Sequence, residues 1–235
     1  MDQDRAKRKR RKDRRVLPDR VDRHVFYCVV RDTIDGGKYT EEKRQGRNIL
    51  MSRKNLGVQP ALYPQPVLIL GTYDQNGKPN AMNAAWGGIC GGNEVMIDLG
   101  SHQTTDNIAV TKAFTVAFAD VEHMAACDYV GIVSAKNEPN KMEKAGFTTT
   151  KSAFVNAPVI NELPVCLECE LKEIIDGGKY IGVIKNVSAE ESVLDENGKV
   201  DLSKFHPIIF DGMQGAYHEF GKKVGNAFKD GAALK

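Results

Sequence analysis

The chain has 235 residues, of which 41% are hydrophobic and 27% are charged, a composition typical of globular proteins. No apolar run approaches the ~20 residues that a membrane-spanning helix needs. The charged N-terminal sequence, which no apolar segment follows, does not match a secretory signal. Five cysteines at irregular spacings argue against a disulfide framework, and we expect a cytoplasmic protein.

The first fifty residues differ in charge from the rest. Residues 1–50 hold 16 Lys or Arg and 9 Asp or Glu, whereas residues 51–235 hold 17 and 22. We interpret the basic run RAKRKRRKDRR (5–15) as part of a leader translated from a misplaced start, because codons for Gly46-Arg47 permit a ribosome-binding sequence just before Met51. The alternatives are a disordered arm and an arm that contacts nucleic-acid phosphates. We therefore expect the domain at 51–235, with neither a membrane nor nucleic acid as its partner.

Strands joined by short turns dominate the predicted structure of this domain. PVLILGTYDQNGKPNAMNAAW (66–86) predicts a hairpin, because Asn76-Gly77 is a strong short turn signal. The other predicted elements are strands at 93–100, 113–120, 163–175, 180–191 and 206–211, helices at 101–112, 122–134 and 140–146, and a loose helix at 222–231. Five to seven strands with inserted helices favour a mainly β, α+β fold or an antiparallel barrel over alternating βαβ units.

Two details of these elements are specific predictions. Ser101 or Thr104 is a suitable cap for the helix at 101–112. In LPVCLECELKEII (163–175) apolar and polar residues alternate, which predicts a strand with one exposed face that carries Cys166 and Glu168. Cys166 and Cys169 form a C-x-x-C pattern, but positions i and i+3 of a strand point to opposite faces, so we expect a structural role.

Residues 72–120 hold the strongest indication of a ligand site. A strand with Asn80, Asn83 and Trp86 precedes a helix that begins SHQTTDN. Helix N-termini bind phosphate through free N–H groups, and small residues on a strand admit a flat ring. This pattern suits a phosphorylated aromatic cofactor. By pattern alone, a helix cap and an ordinary core strand explain the same residues.

The segments PVLILGTYDQNGKPNAMNAAWGGICGG, SHQTTDNI, AFTVAFAD, NKMEKAGF and VINELPVCLECEL together resemble the flavin reductase-like family, and most of all its flavoredoxin branch. The resemblance covers residues 54–235. It implies an antiparallel FMN-binding split β-barrel that forms a homodimer and passes electrons between NADH or NADPH, or a redox-protein partner, and FMN. The alternative is an FMN-binding electron carrier without its own NAD(P)H site.

The resemblance also assigns cofactor contacts, and it assigns no catalytic and no metal-binding residue. The expected FMN contacts are Asn80, Met82, Asn83, Ala84, Ala85, Trp86, Ser101, His102, Thr104, Thr105, Asn107, Lys141 and Phe210. Relatives often carry Arg or Lys just before the first threonine, where this chain has His102 and Gln103. Because His is only partly charged at neutral pH, we expect phosphate binding to depend more on Lys141.

Overall fold

The computed structural model of the chain describes residues 53–235. Within this range antiparallel strands predominate, and a few helices are inserted between them. The elements are β1 (Gln65–Pro66), β2 (Leu68–Tyr73), β3 (Pro79–Ala84), β4 (Gly87–Ile89), β5 (Glu94–Asp98), α1 (Gln103–Thr111), β6 (Ala113–Phe118), α2 (Met124–Ile132), α3 (Lys141–Lys144), β7 (Thr149–Lys151), β8 (Pro158–Ile160), β9 (Val165–Ile175), β10 (Lys179–Ala189), α4 (Leu202–Phe205), β11 (Ile208–Asp211) and β12 (Ala216–Glu219). The predicted fold class is confirmed, and the predictions for residues 1–50 lie outside the described residues.

The main sheet is closed by a single stretch of chain. Its seven strands follow the order β3-β2-β6-β9-β10-β5-β4, and every neighbouring pair is antiparallel. The two outermost strands, β3 and β4, are consecutive in sequence and are separated only by Ala85 and Trp86. The stretch 79–89 therefore pairs with β2 through its first half and with β5 through its second half. This change of partner closes the sheet into a split barrel.

The hairpin of β2 and β3 forms as the sequence predicts. In the turn, Asp74 Oδ1 accepts hydrogen bonds from the N–H groups of Asn76 and Lys78, each at 2.8 Å. Gly77 has a φ of +78°, a conformation that glycine adopts without steric cost. The turn sets the register in which Thr72 lies opposite Asn80.

Both faces of β2 are buried, which explains its uninterrupted apolar sequence. Leu68 and Leu70 lie in the barrel core with Ile97, Phe114 and other side chains. Side chains on the other face of β2, such as that of Ile69, pack in a second core that includes residues of α2. A strand that is buried on both faces has a continuous hydrophobic sequence, because the side chains of neither face contact water.

The half-exposed strand predicted at 163–175 is buried on both faces over its first half. Cys166 and Glu168 are buried in β9, contrary to the prediction. The Ser152 hydroxyl donates to Glu168 Oε2, and Asn186 Nδ2 donates to Glu168 Oε1 at 2.7 Å. The loop that carries Ser152 thus covers the polar face, which the period-two pattern does not reveal.

Two further sequence predictions are corrected by the structure. The loose helix predicted at 222–231 is absent, and a short 3-10 helix occupies Asp230–Leu234 instead. Residues 53–235 form twelve strands, more than the predicted five to seven, because β1, β4, β7, β8 and β12, which the sequence does not predict separately, contain only two to four residues. Strands this short carry no alternation that a sequence pattern would expose.

Gly87 lies where the stretch 79–89 changes its partner from β2 to β5. We expect Gly87→Ala to destabilise the barrel. A Cβ at this position would lie 2.8 Å from Leu68 Cδ1 and 3.0 Å from the Met96 carbonyl oxygen. The free energy of unfolding should fall by about 1–3 kcal/mol, the usual cost of overpacking, in urea denaturation. Gly88→Ala is the matched control, because nothing lies within 4 Å of a Cβ there. Equal stability of the two variants would contradict the assignment.

Candidate functional site

A cavity of about 460 Å³ lies where the start of β3, the first turns of α1 and the start of α3 meet. We call it the amide cavity, because Asn80, Gln103 and Asn107 line it together with Lys141 and Met142. Its volume lies within the range of about 300–1,000 Å³ that small-molecule sites occupy. The structure thus brings Asn80, Asn107 and Lys141, three residues predicted from the sequence, to one cavity.

A buried network of side chains fixes the wall of the amide cavity. Asn80 Nδ2 donates to Thr104 Oγ1 at 2.9 Å, and Asn107 Nδ2 donates to Thr72 Oγ1 at 3.0 Å. Gln103 Nε2 donates to Asn107 Oδ1 at 2.8 Å. These bonds connect α1 to the β2–β3 hairpin and hold the amides in one orientation.

One buried atom of this wall is not hydrogen-bonded by any described residue. Asn80 is only 4% exposed, and no donor within residues 53–235 reaches its buried Oδ1. Leaving a buried acceptor unpaired costs about 1–3 kcal/mol, and native proteins rarely tolerate it. Because Asn80 also lines the cavity, this amide oxygen is available to accept a hydrogen bond from a bound ligand or water molecule.

The helix α1 begins differently from the prediction. His102, and neither Ser101 nor Thr104, occupies the N-cap position. Thr105 Oγ1 accepts from the His102 N–H at 2.9 Å and donates to the His102 carbonyl at 2.7 Å. The predicted capping hydroxyl of Thr104 instead bonds Asn80. Both threonine hydroxyls are therefore engaged within the protein, whereas Ser101 and His102 are exposed.

Lys141 is a buried lysine, 4% exposed, that faces main-chain oxygens. Its Nζ donates to the carbonyls of Val130 at 3.1 Å and Val133 at 2.7 Å, at the C-terminal end of α2. Burial lowers the pKa of Lys141 from 10.5 to about 8. Its neighbour Lys144 is exposed and pairs with Glu138, so Lys141 is the lysine of this segment that lines the cavity.

The other predicted site residues of the stretch 79–89 lie in three different environments. Met82 and Ala84 pack against the barrel core, and Asn83 Nδ2 donates to the Cys127 carbonyl at 3.1 Å on the α2 side. Ala85 and Trp86 line a second, mainly apolar cavity of about 690 Å³, which we call the Trp86 groove. Its walls are formed by residues 59–62, 64–66 and 85–90 together with Met96 and Asp98.

Phe210 lines neither cavity, although it lies opposite Gln65, a residue of the Trp86 groove. It packs against Tyr217 on the neighbouring strand β12, with ring centroids 5.9 Å apart. The Tyr217 hydroxyl donates to Asp128 Oδ1 at 2.8 Å, and burial is the main reason that the pKa of Tyr217 is raised to about 12. Sequence reasoning missed Gln103, whose i,i+4 spacing to Asn107 was an available signal, and it missed Thr72, the one polar side chain among the buried residues of β2.

Three of the four cysteines that the structure describes are buried, and Cys90 is exposed. Burial raises the pKa of Cys127, Cys166 and Cys169 to about 12 each, and a thiol must ionise to act as a nucleophile. Within residues 53–235 no cluster of three or more His, Cys, Asp or Glu side chains is suited to a metal ion. No helix of the described part is long and apolar enough to cross a membrane.

Comparison with known proteins shows to which family the chain belongs. The model of the flavin reductase like domain matches residues 61–210. The chain belongs to the flavin reductase-like domain family. The matched range lies inside residues 51–235, the range predicted from the sequence as the domain.

Solved structures of flavoredoxins resemble this flavin reductase-like chain over their whole length. Flavoredoxin of Desulfovibrio vulgaris (Miyazaki F) is 33% identical, with a TM-score of 0.74 over 77% of this chain and 100% of that one. Flavoredoxin from Methanosarcina acetivorans is 27% identical, with a TM-score of 0.71 over 78% and 100%. At 17% identity, an FMN-binding domain of a flavin reductases-like enzyme from Shewanella baltica OS155 (TM-score 0.62, 69% and 89% covered) shows the shared fold alone.

Curated relatives are matched over only part of their length. An uncharacterized protein of Aquifex aeolicus (strain VF5) is 34% identical over 108 residues, which are 45% of this chain. The chain spans 55% of that protein and 60% of a relative from Aeropyrum pernix.

The lowered pKa of Lys141 predicts a pH dependence of stability in the flavin-free protein. Between about pH 8 and 10.5 the unfolded chain holds the Lys141 proton and the folded protein does not, so the free energy of unfolding rises with pH in this window. Relative to Lys141→Met, the wild type should gain up to about 3 kcal/mol, since one pKa unit corresponds to about 1.4 kcal/mol.

Chemical denaturation at several pH values measures this difference. Lys144→Met, which removes an exposed lysine of the same helix, should retain the wild-type dependence. Parallel stability curves for wild type and Lys141→Met would show that Lys141 titrates normally.

Proposed function

We propose that this chain binds FMN and acts as an oxidoreductase that passes electrons between NADH or NADPH, or a redox-protein partner, and the flavin. The observation that supports it most is the unpaired Oδ1 of buried Asn80 at the amide cavity, in a chain of the flavin reductase-like family. FMN carries donors that suit this oxygen, namely the ring N–H and the ribityl hydroxyls. The amide donors of the cavity suit its carbonyl oxygens.

The phosphate of FMN would be bound without the Arg or Lys that relatives often carry just before the first threonine of α1. His102 is exposed, and the hydroxyls of Thr104 and Thr105 are already engaged. A phosphate at the start of α1 would therefore be bound by main-chain N–H groups of the first turn, with Ser101 beside them. Lys141 contributes a nearby positive charge, which its lowered pKa makes sensitive to mild alkali.

The flat part of FMN would lie along the closing strand. Among the strands of residues 53–235, β3 pairs only with β2, so the other edge of its backbone offers N–H and C=O groups. The backbone groups around Met82, Ala84 and Ala85 would face the ring, and Asn83 is a further proposed contact on this strand. Trp86 and Phe210 remain proposed contacts at the margins of this surface.

FMN supplies the redox chemistry when bound, by accepting a hydride or electrons and passing them on. The amides orient the ring and hydrogen-bond its edge, and the buried lysine favours negative charge that develops nearby. No side chain has to donate or accept a proton for hydride arrival, so no catalytic acid, base or nucleophile is assigned. A homodimer is proposed with this function.

The visible spectrum tests the proposal and separates an enzyme from an electron carrier. Purified protein incubated with FMN and freed of excess flavin should be yellow. Rapid anaerobic mixing with NADH or NADPH should bleach the flavin absorbance within seconds. A protein that dithionite bleaches but neither nicotinamide bleaches would be a carrier. A colourless protein after incubation with FMN would contradict both functions.

Asn80 should contribute to flavin affinity through its unpaired oxygen. Asn80→Ala should raise the Kd for FMN about tenfold to a hundredfold, as expected for the loss of a buried hydrogen bond of about 1–3 kcal/mol. Fluorescence titration with FMN measures it, and Asn156→Ala, at an exposed asparagine, serves as control. An unchanged Kd in a folded Asn80→Ala protein would remove Asn80 from the site.

A further inference from the structure

The last residues of the chain form an arm that touches little of the molecule. Residues 221–235, which we call the C-terminal arm, follow β12, and every one of them is exposed. Val224, Phe228 and Leu234 are among the most exposed large apolar side chains of the described chain. Three such side chains on one short segment mark an interaction surface more than an ordinary tail.

The arm has local structure that presents Phe228. The Asn226 N–H donates to Asp230 Oδ2 at 2.9 Å, and the Asp230 N–H donates back to the Asn226 carbonyl at 3.2 Å. Phe228 lies inside this turn with a φ of +62°, a region that bulky residues adopt rarely. The turn therefore places the Phe228 side chain in solvent, where it is available to a partner.

Charge and length indicate another copy of the chain as the partner. The arm holds four Lys and one Asp, whereas residues 51–220 hold 13 Lys or Arg and 21 Asp or Glu. Opposite charges of arm and body attract two copies to each other. From Glu219 at the end of β12 to Phe228 the extended chain reaches up to about 30 Å, enough to cross onto a neighbouring subunit.

The Trp86 groove has the chemistry to receive this arm. Leu62, Trp86 and Ile89 at the groove are exposed, with Trp86 at 54%. Asp98 also lines the groove and forms no ion pair within residues 53–235. An apolar groove with one free carboxylate is complementary to Phe228 followed by a lysine.

We propose that the C-terminal arm of a second copy docks in the Trp86 groove, with Phe228 beside Trp86. The exchange is reciprocal, as a two-fold symmetric dimer requires. This inference rests on the arm and the groove and is tested without flavin. Because Ala85 and Trp86 are also proposed flavin contacts, the partner's arm would cover the margin of the cofactor site.

Cys90 in the Trp86 groove allows a direct cross-linking test. Cys90 is exposed and lines the groove, so Phe228→Cys places a second thiol against it in the partner. Diamide removes two electrons and two protons from a thiol pair and forms the disulfide. In a Cys28→Ser background, Phe228→Cys should give a covalent dimer on a non-reducing gel, with the peptides of positions 90 and 228 joined in mass spectra.

Matched variants make the outcome decisive. Adding Cys90→Ser should abolish the covalent dimer, and Phe154→Cys, at another exposed phenylalanine, should not form it. A disulfide within one chain, or no disulfide at all, would overturn the proposal.

Self-association provides a readout that does not depend on thiols. Phe228→Ser should weaken dimerisation about tenfold or more in sedimentation experiments, because two phenylalanines lose their burial. Phe154→Ser should leave it unchanged. Equal dimer affinity in Phe228→Ser and wild type, or loss of binding to anionic lipid vesicles as the only effect, would assign the arm to another role.

Discussion

Closure of the barrel by the stretch 79–89 is the constraint on which the rest of the structure depends. The backbone of this stretch must fit against β2 and, a few residues later, against β5 on the far side of the sheet. The change of partner leaves room for little side chain, and Gly87 stands where even a methyl group would meet Leu68 and the Met96 carbonyl. It also sets the two ends of the stretch apart, with Asn80 at the amide cavity and Trp86 at the groove.

The amide cavity is held by polar bonds that the protein makes before any ligand arrives. Burying amides is costly unless they are hydrogen-bonded, and the pairs Asn80–Thr104 and Asn107–Thr72 meet that requirement. The buried ammonium of Lys141 instead donates hydrogen bonds to two main-chain carbonyls at the C-terminal end of α2. Side chains fixed in this way lose little conformational entropy when a ligand binds. The supporting hydrogen bonds therefore help to hold the binding groups in the required geometry.

Local signals in the sequence predicted local structure well. Asn76-Gly77 identified the hairpin, and the apolar spacing after residue 101 identified α1 to within two residues at its start. Features that depend on distant partners were not predictable. Thr104 is not the cap because its hydroxyl bonds Asn80, and Glu168 is buried because Ser152, sixteen residues earlier, covers it. Equally, no sequence pattern shows that Phe210 packs on Tyr217.

The distribution of thiols has a practical consequence. Cys127, Cys166 and Cys169 are buried with pKa values near 12, so alkylating reagents and mild oxidants will leave them intact at neutral pH. Cys90 alone among the cysteines of residues 53–235 is exposed. Once Cys28 is replaced, a maleimide dye would therefore label the native protein at Cys90 alone, in the wall of the Trp86 groove. The fluorescence of the bound dye would then report when a molecule enters or leaves the groove.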